Sequence, residues 1–243
     1  MSRTAAVLVI GNEILSGKVR EANALAVAVA LRPLGIALRR VVVIPDDVDA
    51  IAAEVNALRA THDFVFTSGG VGPTHDDVTV AGIARGLGRA VVRSAEVEGK
   101  LRSHYGARLT EGHLRMADVV DGTELWAGAS PDWPTMVLGN VFVLPGVPEI
   151  FAYKLAGLVP RLRGGDAPFV LRSVECRADE GHLAPLLDAV VAAFPDVAVG
   201  SYPGWGSEPR VRITFDGLDA TRVGAALTAF ESSLPPDWIV ASD

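Results

Sequence analysis

What this chain has little of narrows its possibilities first. It carries a single cysteine, Cys176, in 243 residues, which excludes an internal disulfide and a cysteine-built zinc site and fits a reducing compartment. Packing within a strand is the expected role of that thiol. No apolar run approaches the roughly 20 residues of a membrane span, and residues 1–4 lead straight into a strand-like run without a signal-peptide pattern. A cytoplasmic protein with no membrane partner is expected. The formal net charge is −7, and basic residues stand singly or in pairs such as Arg39 and Arg40. A nucleic-acid binder carries a basic stripe or face, so no nucleic-acid partner is expected and a small phosphorylated molecule is. Repeats and low-complexity tracts are absent from the sequence. A P-loop is excluded because Asn12 and Val19 stand where that motif needs glycine and Ser/Thr. Ser68 has no evident histidine and acid partners for a nucleophile triad. His104 and His113 lack a third strong ligand nearby and read as surface or packing residues.

What is present is an alternation of strands and helices. Hydrophobic residues make up 49% of the chain, enough for one large domain or one medium and one small, either with a sizeable core. TAAVLVI, Thr4–Ile10, is the continuous apolar run of a parallel strand buried on both faces. A helix over Glu21–Leu34 and a strand over Ile36–Ile44 follow. Asp47 is placed to cap a helix whose Val48, Ile51, Ala52, Val55 and Leu58 share one face. The strand Asp63–Phe66 leads into a glycine-rich loop, then into a helix marked by Val80, Ile83, Ala84 and Leu87, and then into a short strand at Ala90–Arg93. This order predicts a parallel sheet with helices on both sides. Residues 94–119 read as helical and polar. Gly122–Leu138, with its glycine and proline breaks, reads as a hairpin-like excursion over the sheet. Asn140–Leu144 is the last central strand, followed by a helix over Ile150–Leu158. After a linker in RLRGGDAP come a strand, a helix, two strands, a helix and a strand, the βαββαβ order of a ferredoxin-like unit. The expected domains are 1–163 and 168–243. The loop SYPGWGSEP exposes Tyr202 and Trp205, read as packing anchors more than ring-stacking groups.

The chain is organised around TSGGVGPTHDDVT, Thr67–Thr79. Gly69, Gly70 and Gly72 strip side chains from the turn, so that backbone N–H groups can approach an anion and positive φ is permitted. The following helix start favours phosphate or carboxylate. Asp76 and Asp77 add negative charge at the same place, a combination suited to a phosphate together with the divalent cation that neutralises it. Thr74 followed by Asp77 also matches a capping box that merely starts the helix, and Glu149 reads equally as a helix-start charge. In an open α/β sheet ligand loops follow the carboxyl ends of strands. That rule gathers Gly11, Asn12 and Glu13, then Pro45 and Asp46, then Ser68 to Asp77 with Thr74, and finally Gly146 and Glu149, along one edge.

The same loop, with GNEILSG at 11–17 and Asn23 beyond it, VIPD at 43–46, LPGVPE at 144–149 and GSYP at 200–203, resembles the signature of the molybdopterin-binding domain superfamily. Within it, the CinA (competence/damage-inducible) branch and the N-terminal domain of eukaryotic FAD synthases are the similar members. The blocks occur in the family's order and cover nearly the whole chain. Residues 129–138 read ASPDWPTMVL where CinA proteins usually carry Gly-Thr-Ala-Pro-Gly, and HDDVT, GVPE and GSYP are worded more like the FAD synthases. The resemblance implies a three-layer α/β domain followed by a small α+β domain. It also implies a metal-dependent pyrophosphatase acting on ADP-ribose or an FAD-like diphosphate, with Asp77, Asp76 and Asp46 as catalytic acids. Asp77 and Asp76 would hold Mg²⁺ or a transition metal such as Co²⁺, Ni²⁺ or Mn²⁺. Gly11, Asn12, Glu13, Asn23, Ser68, Gly69, Gly70, Gly72, Thr74, Gly146 and Glu149 would bind the substrate. A module that holds molybdopterin or a nucleotide without turnover is the alternative, and a molybdopterin adenylyltransferase a third reading, for which the extra C-terminal domain is atypical. The C-terminal deamidase domain of CinA has no counterpart here, so nicotinamide-nucleotide deamidation is not expected. Superfamily members are commonly dimers or trimers, and a homo-oligomer is expected.

Overall fold

The computed structural model describes residues 2–128, 133–204 and 211–242. The chain divides into two compact units at Asp166/Ala167. The first begins β1 (Thr4–Ile10), α1 (Asn12–Leu15), α2 (Asn23–Leu31), β2 (Ala37–Ile44), α3 (Val48–Thr61), β3 (Phe64–Ser68) and α4 (Thr79–Leu87). It continues β4 (Val91–Arg93), α5 (Ala95–Tyr105), α6 (Glu111–Leu114), β5 (Asp118–Val120), β6 (Glu124–Trp126), β7 (Thr135–Leu138), β8 (Val141–Leu144) and α7 (Pro148–Leu162).

The main sheet has the order β2-β1-β3-β8-β7-β6. Its first four strands are parallel, and β7 and β6 continue it antiparallel. The unbroken apolar character of β1 follows from its central place. Ala5, Val7 and Val9 point into a core shared with α2 and α7, through Val27, Leu31, Phe151 and Leu158. Ala6, Leu8 and Ile10 point into the opposite core with Ile51, Val55, Leu58 and Ile83 of α3 and α4. Each of the buried Val, Leu, Ile and Phe side chains among them contributes about 1.5–3 kcal/mol, and each Ala less. Two helical layers around a sheet make this a three-layer α/β fold. At the end of the unit the Arg3 guanidinium pairs with Asp166, so the segment expected as a bare linker is tied back to β1.

Several sequence expectations are corrected here. The strand at Ala90–Arg93 does not join the parallel sheet. β4 pairs antiparallel with β5 in a separate two-stranded ribbon, because its Val91 and Val92 are exposed while the fully buried VFVL of β8 takes the fourth parallel place. The described strands of Gly122–Leu138 do not pass over the sheet but join it. They are β6 and β7, the sheet's antiparallel edge, turned into β8 by Gly139 at φ 61°. Residues 94–119 form two separate helices and short 3₁₀ turns, since Gly106 and Thr110 interrupt them. The helix expected from Glu21 starts at Asn23, because the Glu21 carboxylate accepts from the N–H groups of Asn23 (2.7 Å) and Ala24 (2.9 Å) and so sits outside the helix, ahead of Ala22 at the cap position. It ends at Leu31, with a 3₁₀ turn carrying the chain through Pro33 to Gly35. Asp47 caps α3 through Ala50 N–H, at 2.8 Å.

The second unit runs β9 (Val170–Cys176), α8 (Glu180–Ala193), β10 (Ala198–Pro203), β11 (Val211–Gly217), α9 (Ala220–Ser233) and β12 (Ile239–Ser242). Its strands lie in the order β10-β11-β9-β12, every neighbour antiparallel, which is the ferredoxin-like arrangement. Cys176 is buried in its core beside Phe215 and Phe230. Tyr202 is exposed on β10. Trp205, Arg210 and residues 129–132 of the ASPDWPTMVL stretch lie outside the described residues.

Candidate functional site

The parallel register of β2, β1, β3 and β8 sets four carboxyl strand ends side by side, and hydrogen bonds stitch the loops that follow them. Gly11 N–H donates to Ile44 O (3.1 Å) and Gly69 N–H to Leu144 O (3.2 Å). Asn12 N–H donates to Asp46 Oδ2 (2.8 Å). The buried Asn23 amide donates both to Ser68 Oγ (2.8 Å) and to Gly146 O (2.9 Å). Asn23, Ser68 and Gly146 therefore form a polar floor, and Asp46 braces the turn after β1.

At the end of β3 the glycine loop turns through Gly69 and Gly70, with φ of 103° and 64°. A Cβ on Gly69 would stand 2.2 Å from the Ile10 carbonyl oxygen, and one on Gly70 2.3 Å from Thr79 Oγ1. Conformation and space both demand glycine there. Thr79, fully buried, latches the corner, its N–H donating to Gly70 O (3.0 Å) and its hydroxyl to Gly69 O (2.9 Å). Beyond the corner, the N–H groups of Gly70, Val71 and Gly72 have no protein acceptor among the described residues.

The acids lie ahead of the helix rather than in it. α4 begins at Thr79 with Val78 at its cap position, so Thr74 caps nothing and the capping-box reading is corrected. Thr74 binds Asp77 within the loop instead. Its N–H and its hydroxyl both donate to Asp77 Oδ2, at 2.7 and 2.5 Å. Gly72 makes room for that carboxylate, since a Cβ there would stand 2.7 Å from Asp77 Oδ2. Asp76 is exposed. The Thr74 hydroxyl, its own backbone N–H and the charge of His75 hold its carboxyl below the usual range.

Gly70, Gly72, Thr74 and Asp77 of the loop line a cleft of about 240 Å³ together with Arg115 and Asp118. Asp118 is paired with Arg93 at 2.6 Å, whereas the Arg115 guanidinium makes no hydrogen bond or ion pair among the described residues, only its backbone being bonded, to Gly112 and His113 and from Asp118. Asp46, Asp76, Glu13 and Glu149 do not line this cleft. Glu13 folds back against Gly11, and Glu149 is an exposed residue in the first turn of α7. Among the described residues no three His, Cys, Asp or Glu side chains gather to hold a metal by themselves. The donors do fit a hard cation shared with a phosphate. Asp77 retains a second oxygen, Asp76 is adjacent and ionised, and Mg²⁺ commonly takes only one or two carboxylates beside phosphate oxygens and water.

Residues 6–164 match the family described as "Probable molybdopterin binding domain". The chain belongs to the molybdopterin-binding domain family. Residues 168–243 match the middle domain of FAD synthase, so this CinA-like protein joins a molybdopterin-binding domain to an FAD-synthase-like module. It is 36% identical over 231 residues to a protein of Archaeoglobus fulgidus, covering 94% of this chain and 96% of that one. It is 32% identical over 263 residues to a "Probable FAD synthase" of Caenorhabditis elegans, covering 96% of this chain and half of that longer protein. The crystal structure of CinA from Thermoplasma acidophilum is similar at 31% identity and a TM-score of 0.61, over 67% of this chain and all of that one.

Three residues of the CinA-like domain escaped the sequence reading. Thr79 closes the signature motif but reads there as a helix residue. Arg115 carries no local pattern that marks it. Lys154 had a signal: it stands on the apolar stripe Phe151, Leu155 and Leu158 of α7, where a lysine is out of place.

Proposed function

We propose that this protein is a metal-dependent nucleotide pyrophosphatase that cleaves the diphosphate of an ADP-ribose- or FAD-like dinucleotide. The observation that carries the reading is the cleft that brings the glycine loop, Asp77 and the unpaired Arg115 together. In this reading the N–H groups of Gly70 to Gly72 donate to one phosphoryl group, in a turn already fixed by Thr79, so no reorganisation is needed as charge develops. Arg115, with a planar fork of donors, takes the facing phosphate oxygens. Thr74 fixes the orientation of the Asp77 carboxylate, and Asp76 keeps a second negative charge beside it. Asp46 acts as a brace through Asn12. A divalent cation bound at Asp77 and Asp76 would supply Lewis acidity, lowering the pKa of water and drawing charge from the diphosphate.

The rival reading, a module that holds a nucleotide or pterin phosphate without hydrolysis, is favoured by one observation: Asp77 Oδ2 is already spent on Thr74. Incubation with FAD, ADP-ribose, NAD and molybdopterin-adenylate under several divalent cations, with products identified by mass, separates the two, since only hydrolysis releases AMP. We also propose that the chain assembles as a homo-oligomer in a reducing, cytoplasmic setting. Leu25 and Val29, one turn apart on α2, are exposed, as an apolar contact surface would be in an isolated protomer; sedimentation velocity tests this.

A further inference from the structure

A second cavity of about 410 Å³ lies beside the cleft, between the sheet, α7 and the segment that carries α5 and β5. Its volume is in the range of about 300–1,000 Å³ usual for small-molecule pockets. The walls are apolar: Tyr105 and Tyr153 contribute aromatic surface, and Met116 and Met136 contribute polarisable thioethers. Val71, Met116 and Met136 line this cavity and the anion cleft alike, and Val71 belongs to the glycine loop itself. A group attached to a phosphate at that loop therefore reaches the cavity past a single layer of side chains.

Among the described residues that line the cavity, one is a cation. Lys154 Nζ donates to the carbonyls of Trp133 (2.8 Å) and Pro134 (3.0 Å). An ammonium has three N–H donors, so one remains beyond these two among the described residues. Burial alone pushes its pKa down to about 8. An acyl chain would leave that donor unanswered, and a second phosphate would not match the apolar walls. A flat ring that carries a carbonyl or ring-nitrogen acceptor satisfies both.

We infer that this cavity receives the heteroaromatic base of the bound dinucleotide, with Lys154 donating to an acceptor on the ring and Tyr153 packing against it. That the phosphates lie at the glycine loop rests on the function proposed above; the ring site itself does not.

The test titrates wild-type protein, Lys154→Met and Tyr153→Ala by calorimetry with adenosine and riboflavin (a base without phosphate), inorganic pyrophosphate (phosphate without a base) and ADP-ribose. The half-exposed Tyr153 makes the second variant the safer one to fold. Adenosine or riboflavin is expected to bind the wild type, and each folded variant to weaken it about tenfold, the effect of one lost hydrogen bond or ring contact, while pyrophosphate affinity stays unchanged. Failure of both adenosine and riboflavin to bind the wild type, wild-type affinity in both variants, or an equal loss for pyrophosphate overturns the inference. If either of the two binds and the variants weaken it while pyrophosphate and ADP-ribose show no affinity for the wild type, the ring site stands and the diphosphate reading falls.

Discussion

The Asn23 amide donates at once to Ser68 Oγ and to the Gly146 carbonyl, so one buried side chain joins the start of α2, the end of β3 and the loop after β8. Its removal takes a donor from the buried Ser68 hydroxyl and from the more accessible Gly146 carbonyl. Asn23→Ala should cost the first unit about 1–3 kcal/mol and loosen the loops that border the cleft. Urea unfolding followed within the first unit measures this, and an unchanged midpoint would show that the floor is not held by this amide.

Gly70 and Gly72 separate conformation from site chemistry. Gly70 has φ 64° and faces Thr79 Oγ1, so Gly70→Ala should lose about 1–2 kcal/mol from the left-handed backbone alone, and more from the contact with Thr79. Gly72 is not in the left-handed region, and the three atoms nearest its Cβ would all belong to the Asp77 carboxylate. Gly72→Ala should therefore leave the melt within about 0.5 kcal/mol yet displace Asp77 and reduce turnover. Calorimetric melts with activity for both variants decide this; equal activity in Gly72→Ala and wild type would remove Asp77's position from the account.

Thr74 orients Asp77 from within an exposed loop. Thr74→Val removes the hydroxyl donor, and the stability cost should be at most about 1 kcal/mol. Under the proposed function kcat should fall while nucleotide affinity changes little, because the substitution misplaces a group that acts on the reacting phosphate. A rise in KM with kcat unchanged would make Thr74 a plain binding contact.

Lys154 gives a pH signature. Its pKa is lowered from 10.5 to about 8 by burial. In the window between these values the unfolded chain holds a proton that the folded chain has released, so stability rises with pH across it. Below that window the burial penalty is fully present. The difference in unfolding free energy between wild type and Lys154→Met should thus change in favour of the wild type from about pH 8 to about pH 10.5 and be flat below. Denaturant titrations at several pH values check it, and a difference independent of pH would mean the ammonium is as well solvated folded as unfolded.

Long and strongly patterned elements were legible in the sequence. TAAVLVI could only be a strand buried on both faces, and Ile51, Val55 and Leu58 fix the inner side of α3 by their spacing. The glycine corner was legible too, since Gly69 and Gly70 stand where the backbone turns positive. Short elements were not. VVR at β4 and VFVL at β8 look alike locally, and only competition for a place in the sheet separates them. Thr74 and Asp77 have the spacing of a capping box, yet their bonds close a loop that ends before the helix begins, a matter of backbone path that no spacing encodes. Arg115 and Lys154 line their cavities together with residues far away in the chain, such as Gly70 and Asp77 for Arg115 and Tyr105 and Met116 for Lys154, a juxtaposition that no local pattern encodes.

Cleavage of ADP-ribose and FAD by the full chain, with and without a divalent cation, compared with Asp77→Asn, tests the central claim most directly. An amide is a poorer ligand for a hard cation than a carboxylate, but it can still accept from Thr74, so the variant should fold like the wild type. The account predicts cation-dependent release of AMP by the wild type and a loss of about 100-fold or more in Asp77→Asn, the scale on which removal of one transition-state contact acts. Binding of the diphosphate by the wild type with no AMP under any cation, or full activity in a folded Asp77→Asn protein, would contradict it.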